Sequence, residues 1–233
     1  MGGKPVLIPE LPDRLRFIAL QEWELWGRGR WITATHTFEQ LSGVAPRTED
    51  APETTSRVLH SWYSLKSSRI ASQRVRFDDG SLVPWSALFN PFLMRSGGIA
   101  PEVFPPGDSH RACIRAILEA PNRNGFEALG AAAHAPALGN VICAPRGVGL
   151  APAQARSLAE LTRMSRQECA RGQAHHCDRV VETAANTLGT IGGNINESVM
   201  WTQVGIDERG LLQPTPERPW NVVLRNHLRQ AKP

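Results

Sequence analysis

The sequence predicts an α+β domain, on three observations. Helical periodicity dominates the first half of the chain, at 11–27 and 109–120. A strand-and-turn rhythm fills 175–212, so strands follow helices in blocks and do not alternate with them. The length of 233 residues suits one domain spanning 1–233, with room for an insertion.

"LPDRLRFIALQEWELWG" (11–27) is the first helix. Pro12 and Asp13 suit its first turn, and Gly27 and Gly29 end it. Leu15, Ile18, Ala19, Glu22, Leu25 and Trp26 fall on one stripe, with Glu22 its only charge. Segment 38–56 is polar and Pro/Thr-rich and reads as a loop. Segment 56–67 is helix-like, and Arg74-Val75-Arg76-Phe77 alternates as a short strand before the turn at Asp79-Gly80. The apolar run 85–94 follows. In 109–120 Ser109 is a cap, and Ala112, Ile114, Ile117 and Leu118 form the apolar face. Segment 139–147 is a buried strand, and 150–174 reads as a helical insertion. Strands are expected at 176–183, 187–192 and 198–205, and the Pro-punctuated tail 213–233 is expected to lie along the surface.

The net charge is +4 and the pI about 9.2, but Lys and Arg are interleaved with Asp and Glu. No basic stripe with interleaved aromatics is present, so nucleic acid is not an expected partner. An anionic cell-wall polymer is compatible with the charge. No run of about 18 apolar residues exists, so no membrane span is expected. "MGGKPVLIPELPDRLRF" has no apolar h-region. The expectation is synthesis in the cytoplasm without a cleaved signal, then secretion or injection to act in the periplasm or cell wall. Cys113, Cys143, Cys169 and Cys177 form no C-x-x-C pair, which argues against zinc ribbons and thioredoxin-type centres. They do not read as a disulfide framework; Cys143 and Cys177 read as core.

Three residues recur as a catalytic set. Ser86 starts or precedes a helix in "PWSALFNPFLMRSGG", His176 opens the strand "HHCDRVV", and Asn194 ends the next strand in "TIGGNINESV". A papain-like hydrolase needs this order: a nucleophile at a helix N-terminus, a histidine on a strand, and a polar residue to orient the imidazole. Each residue also has a plainer reading. Ser86 is a possible helix cap, His176 an ordinary half-buried histidine, and Asn194 a turn residue after two glycines. Asn90 and Pro91 carry their own helix-start signal, which would leave Ser86 in a turn just ahead of the helix. Trp85 and Trp26 are candidate groove-lining residues, with core packing as the alternative. In "DSH" Asp108 and His110 are candidates to line the groove, or to build a different hydrolytic site.

The motifs "PWSALFNPFLMRSGG", "GNVICAPRG", "HHCDRVV" and "TIGGNINESV", with "IALQEWELWG" before them, resemble the papain-like CHAP-type and NlpC-type cell-wall amidase/peptidase superfamily. They are most similar to a bacterial branch with a W-S-A-A-F motif. The resemblance implies a papain-like fold, with a helical front half packed on a small antiparallel sheet. It places the nucleophile on Ser86, the histidine on His176 and the orienting residue on Asn194. It implies hydrolysis of an amide bond in peptidoglycan peptide stems, with no metal and no cofactor. CHAP members carry cysteine where this chain has Ser86. A free thiol titrates near pH 8.5, at about physiological reach, whereas a hydroxyl needs a general base. Native serine, a degenerate site that only binds, and a serine engineered in place of cysteine are the alternatives. An effector injected by a type VI or similar secretion component implies a cognate immunity protein. A phage lysis or virion component is another source, and an inactive domain binding cell-wall fragments or a protein is the non-enzymatic alternative.

Overall fold

Pro12 and Asp13 open helix α1 (Leu11–Leu25), and Gly27, at φ +91°, lets the chain reverse behind it. In the computed structural model, residues 10–32, 37–41, 43, 45–58, 78, 80, 84–105, 109–120, 125–146, 158–163 and 175–228 are described. Leu11, Leu15, Ala19 and Trp23 of α1 are buried, and Trp26 just past its end is fully enclosed. Leu25, expected on this stripe, is 39% exposed. Glu22 is buried because Arg57, at the end of α2 (Pro52–Arg57), pairs with both its oxygens; the Nε–Oε2 distance is 2.7 Å.

The strands form one eight-stranded sheet. They are β1 (Gly29–Ile32), β2 (Thr37–Gln40), β3 (Phe126–Gly130), β4 (Val141–Pro145), β5 (His175–Thr183), β6 (Thr187–Ile195), β7 (Ser198–Gly205) and β8 (Val222–Asn226). Their order is β2-β1-β7-β6-β5-β4-β8-β3. Every pairing is antiparallel except β1 with β7. The β5–β6–β7 meander is the part the alternation predicted, and β4 lies inside 139–147.

Both faces of the sheet are apolar. Helices α1, α3 (Ser86–Ser96) and α4 (His110–Glu119) cover one face, over Val141, Cys143, Cys177, Ile191 and Val222. On the other, Ile142, Ala144, Val180 and Val223 pack with Leu212 and Trp220 from the β7–β8 connection. Neighbouring residues such as Ile142 and Cys143 thus enter different clusters, as strand alternation requires.

Several expectations are corrected. The segment 213–233 is more than a surface tail, because Val222-Val223-Leu224 is an apolar run that inserts as β8 between β4 and β3. The segment 38–56 holds the end of β2 and nearly all of α2. The front half is not purely helical, since β1 and β2 lie there. The segment 150–174 contains α5 (Leu158–Arg163), and its remainder lies outside the described residues, as do 59–67 of the helix-like segment and Arg74–Phe77. Cys143 and Cys177 are core, as expected, but are also joined by a disulfide between directly paired positions of β4 and β5. Cys113 is buried and free.

Candidate active site

Helix α3 begins at Ser86 because Trp85 is pinned just before it. The Trp85 indole is fully buried, packs on Trp26 with ring centroids 5.1 Å apart, and donates its N–H to Glu49 at 2.5 Å. Trp85 takes the cap position without a side-chain cap bond, so Ser86 is the first helical residue and its hydroxyl is not spent on capping. The separate start signal at Asn90-Pro91 does not begin the helix. Pro91 sits inside α3, at the loss of one backbone donor. Asn90 instead donates Nδ2–H to the Cys177 carbonyl at 3.1 Å, tying α3 to β5.

The Ser86 hydroxyl meets His110, with Oγ 3.0 Å from Nε2. His110 is the first residue of α4, whose start is fixed by Ser109: the Ala112 N–H donates to its Oγ at 3.0 Å. Ser86 and His110 are 5% and 7% exposed. Burial holds the His110 pKa well below its usual value, and the charges of His176, Arg146, His175 and Arg218 add to this. The ring is therefore neutral at pH 7. With its proton on Nδ1, its Nε2 lone pair accepts the serine O–H.

His176 stands behind His110 on β5, ring centroids 5.3 Å apart and edge-to-face. Its Nδ1 is 2.6 Å from an Arg146 nitrogen. A guanidinium only donates, so Nδ1 accepts and the ring proton resides on Nε2. That nitrogen faces Asp178 Oδ1 at 2.7 Å, a close contact of a neutral ring with a carboxylate, without the alignment of a hydrogen bond. Burial lowers the His176 pKa to about 4, against the opposing pull of Asp178. For Asp178, burial pushes the pKa up, but His176, Arg218 and Arg146 outweigh it and hold the carboxyl below its usual range.

The two glycines of "IGGN" make room for this arrangement. A Cβ at Gly192 would lie 1.8 Å from Asp178 Oδ1. A Cβ at Gly193 would lie 2.7 Å from Phe89 Cβ and 2.9 Å from Trp85 Cζ3. Gly192 thus admits the Asp178 carboxylate, and Gly193 lets α3 approach β6.

The predicted site residues fall as follows. Ser86 is at the helix start, as the motif required. Its partner is His110, which the sequence assigned to the groove. His176 is adjacent to His110, and both its ring nitrogens are engaged by Arg146 and Asp178, so it is not the base contacting Ser86. Asn194 does not orient the ring for the same reason. It adopts φ +58° where the β6–β7 register shifts, which fits a turn-forming asparagine. Trp85 and Trp26 are core residues at 0% exposure and cannot line a groove. Asp108 lies outside the described residues. Sequence reasoning missed Asp178, Arg146 and Arg218. For Asp178 a signal existed: it lies two residues past His176, on the same face of an alternating strand.

Among the described residues, no group of three or more His, Cys, Asp or Glu is placed to hold a metal ion. The arrangement can do base-assisted chemistry at a hydroxyl. In the first turn of α3 the Leu88 N–H is taken by the Trp85 carbonyl at 2.9 Å, while the Ser86 and Ala87 N–H groups precede any intrahelical acceptor and set a partial positive charge beside the reacting oxygen. Residues 56–226 match the family described as "Uncharacterized protein conserved in bacteria (DUF2272)". No curated protein and no solved structure matches the chain.

Proposed function

This chain belongs to the DUF2272 family of bacterial proteins, and we propose that it is a serine-dependent amide hydrolase of papain-like design acting on peptidoglycan peptide stems. The observation that carries the reading is the 3.0 Å contact between Ser86 Oγ and a neutral, buried His110 Nε2 at the start of α3. His110 takes the Ser86 proton as Oγ bonds to the amide carbonyl carbon. The Ser86 and Ala87 N–H groups at the start of α3 receive the resulting oxyanion. His110 then returns the proton to the leaving nitrogen as the C–N bond breaks, which leaves an ester on Ser86. Water, deprotonated by His110, attacks that ester, and the released Ser86 oxygen recovers the proton. His176, fixed between Arg146 and Asp178, packs its ring against His110 and acts as a positioning residue. The peptidoglycan substrate rests on the resemblance to CHAP-type and NlpC-type enzymes.

The near-complete burial of Ser86 and His110 favours a second reading, a non-catalytic domain that binds cell-wall fragments or a protein partner. One comparison separates the two. Purified wild-type protein and Ser86→Ala are incubated with peptidoglycan, and new amino groups are counted. The hydrolase reading expects amide cleavage by wild type, and loss of at least about a hundredfold in Ser86→Ala with unchanged melting, the scale of losing base-assisted attack. No cleavage by wild type, or equal cleavage by both, would leave only the binding reading.

A further inference from the structure

Among the described residues, the charge around the two histidines does not balance. Among the described residues, the charged groups that act on both His110 and His176 are Arg146 and Arg218, and Asp178 acts on His176. Asp178 is fully buried, while both arginines are partly exposed. Arg146 follows the last residue of β4, where Pro145 pairs with His175, and reaches His176 Nδ1 at 2.6 Å.

Arg218 arrives from the β7–β8 connection. Thr215 and Arg218 exchange backbone hydrogen bonds at 3.1 Å, and Thr215 Oγ1 also accepts the Arg218 N–H at 3.1 Å. Three residues later, Asn221 N–H donates to the Cys143 carbonyl at 3.1 Å, and its side-chain nitrogen lies 3.3 Å from His175 Nε2. A closed turn, anchored to β4 and β5, therefore presents Arg218 at the end of the sheet where the histidines sit. The Arg218 guanidinium makes no ion pair among the described residues.

We propose that Arg146 and Arg218 form a carboxylate-binding subsite beside Ser86 and His110, so that the substrate is a peptide-like amide with a free carboxylate close to the scissile bond. The proposal deepens the hydrolase reading and rests on it for the word substrate. Among the described residues, two guanidinium charges against one carboxylate leave a single positive charge, which a monoanion neutralises and a phosphate dianion exceeds. Guanidinium forks match the planar geometry of a carboxylate. A bound carboxylate would also relieve the repulsion between Arg146 and Arg218, each of which faces a like charge in the free protein.

The test uses the stem tripeptide L-alanyl-γ-D-glutamyl-L-lysine in four forms: both carboxylates free, each of the two amidated singly, and both amidated. Calorimetric binding is measured on Ser86→Ala, or on His110→Gln if the first does not fold, so that turnover plays no part. Cleavage by wild type is measured separately. The free acid is expected to bind at least tenfold more tightly than one of the singly amidated forms. Arg218→Ala should abolish that preference, and Arg218→Lys should restore part of it, with melting unchanged in both. Absence of binding, or equal binding of the free and doubly amidated peptides, would overturn the subsite. Selective binding without cleavage by wild type would support the subsite while overturning the hydrolase reading. Cleavage indifferent to amidation would overturn the subsite alone.

Discussion

Ser86 and His110 lie 24 residues apart in the chain, yet their side chains meet at 3.0 Å. The environment that keeps His110 neutral also makes the protein sensitive to acid. His176 offers the cleaner measure, since burial lowers its pKa from 6.5 to about 4. The folded state binds this proton less readily than the unfolded state does. Stability from this residue is therefore full above pH 6.5, falls as the pH drops from 6.5 towards 4, and levels off below. At about 1.4 kcal/mol per pH unit the loss is roughly 3 kcal/mol. Denaturant melts of wild type and His176→Gln at pH 7.5, 5.5 and 4 should diverge in slope across that window, and parallel curves would contradict the assignment. The position of Ser86 was legible, because a hydroxyl at the start of an apolar helix is a local pattern. Its partner was not, because two histidines fitted the spacing and only the docking of α4 beside α3 decides between them. Asn194 misled because an asparagine after two glycines serves a turn as readily as it orients a ring.

The junction of α3 with β5 and β6 sets the geometry of the pair. Substituting Gly192 by Ala should displace the Asp178 carboxylate, because the added methyl has no space on that face. The expected outcome is a large fall in catalytic rate with a destabilisation of about 1–3 kcal/mol, the usual cost of overpacking. Wild-type turnover in Gly192→Ala would show that Asp178 does not support the histidines. The disulfide between Cys143 and Cys177 locks β4 to β5 beside His176. Its loop spans a sequence separation of 34, for which chain entropy gives about 3–4 kcal/mol. Replacing both cysteines by alanine should lower the unfolding free energy by that order, and an unchanged melt would show that the bond does not form in solution. The bridge was invisible in the sequence, since four cysteines without regular spacing specify no pairing. Strands β5, β6 and β7 were legible from alternation. By contrast β1 and β3 are short and lack a clear period, and they are strands because neighbours complete their ladders.

Across the whole molecule, the sheet gathers residues that are remote in sequence. Strand β8, from the segment expected on the surface, closes against β4 and carries with it the turn that holds Arg218. The parallel strand β1 is supplied by the chain just after α1, so the amino-terminal segment and the β5–β7 meander share one sheet. An α+β composition was readable from the order of patterns, but the eight-strand order was not, because β3 and β8 pair across about a hundred residues of intervening chain. The cluster depends on this assembly, since α3 and α4 each contribute one side chain to it and β5 contributes two, His176 and Asp178. Its catalytic role is tested most directly by covalent capture. Intact protein is treated with a fluorophosphonate, which phosphonylates a base-activated serine with loss of fluoride, and the modified residue is located by peptide mass spectrometry. The account predicts single labelling at Ser86, slowed at least about a hundredfold in His110→Gln. It further predicts only partial slowing in His176→Gln. No label on Ser86, or labelling at the same rate in wild type and His110→Gln, would contradict it.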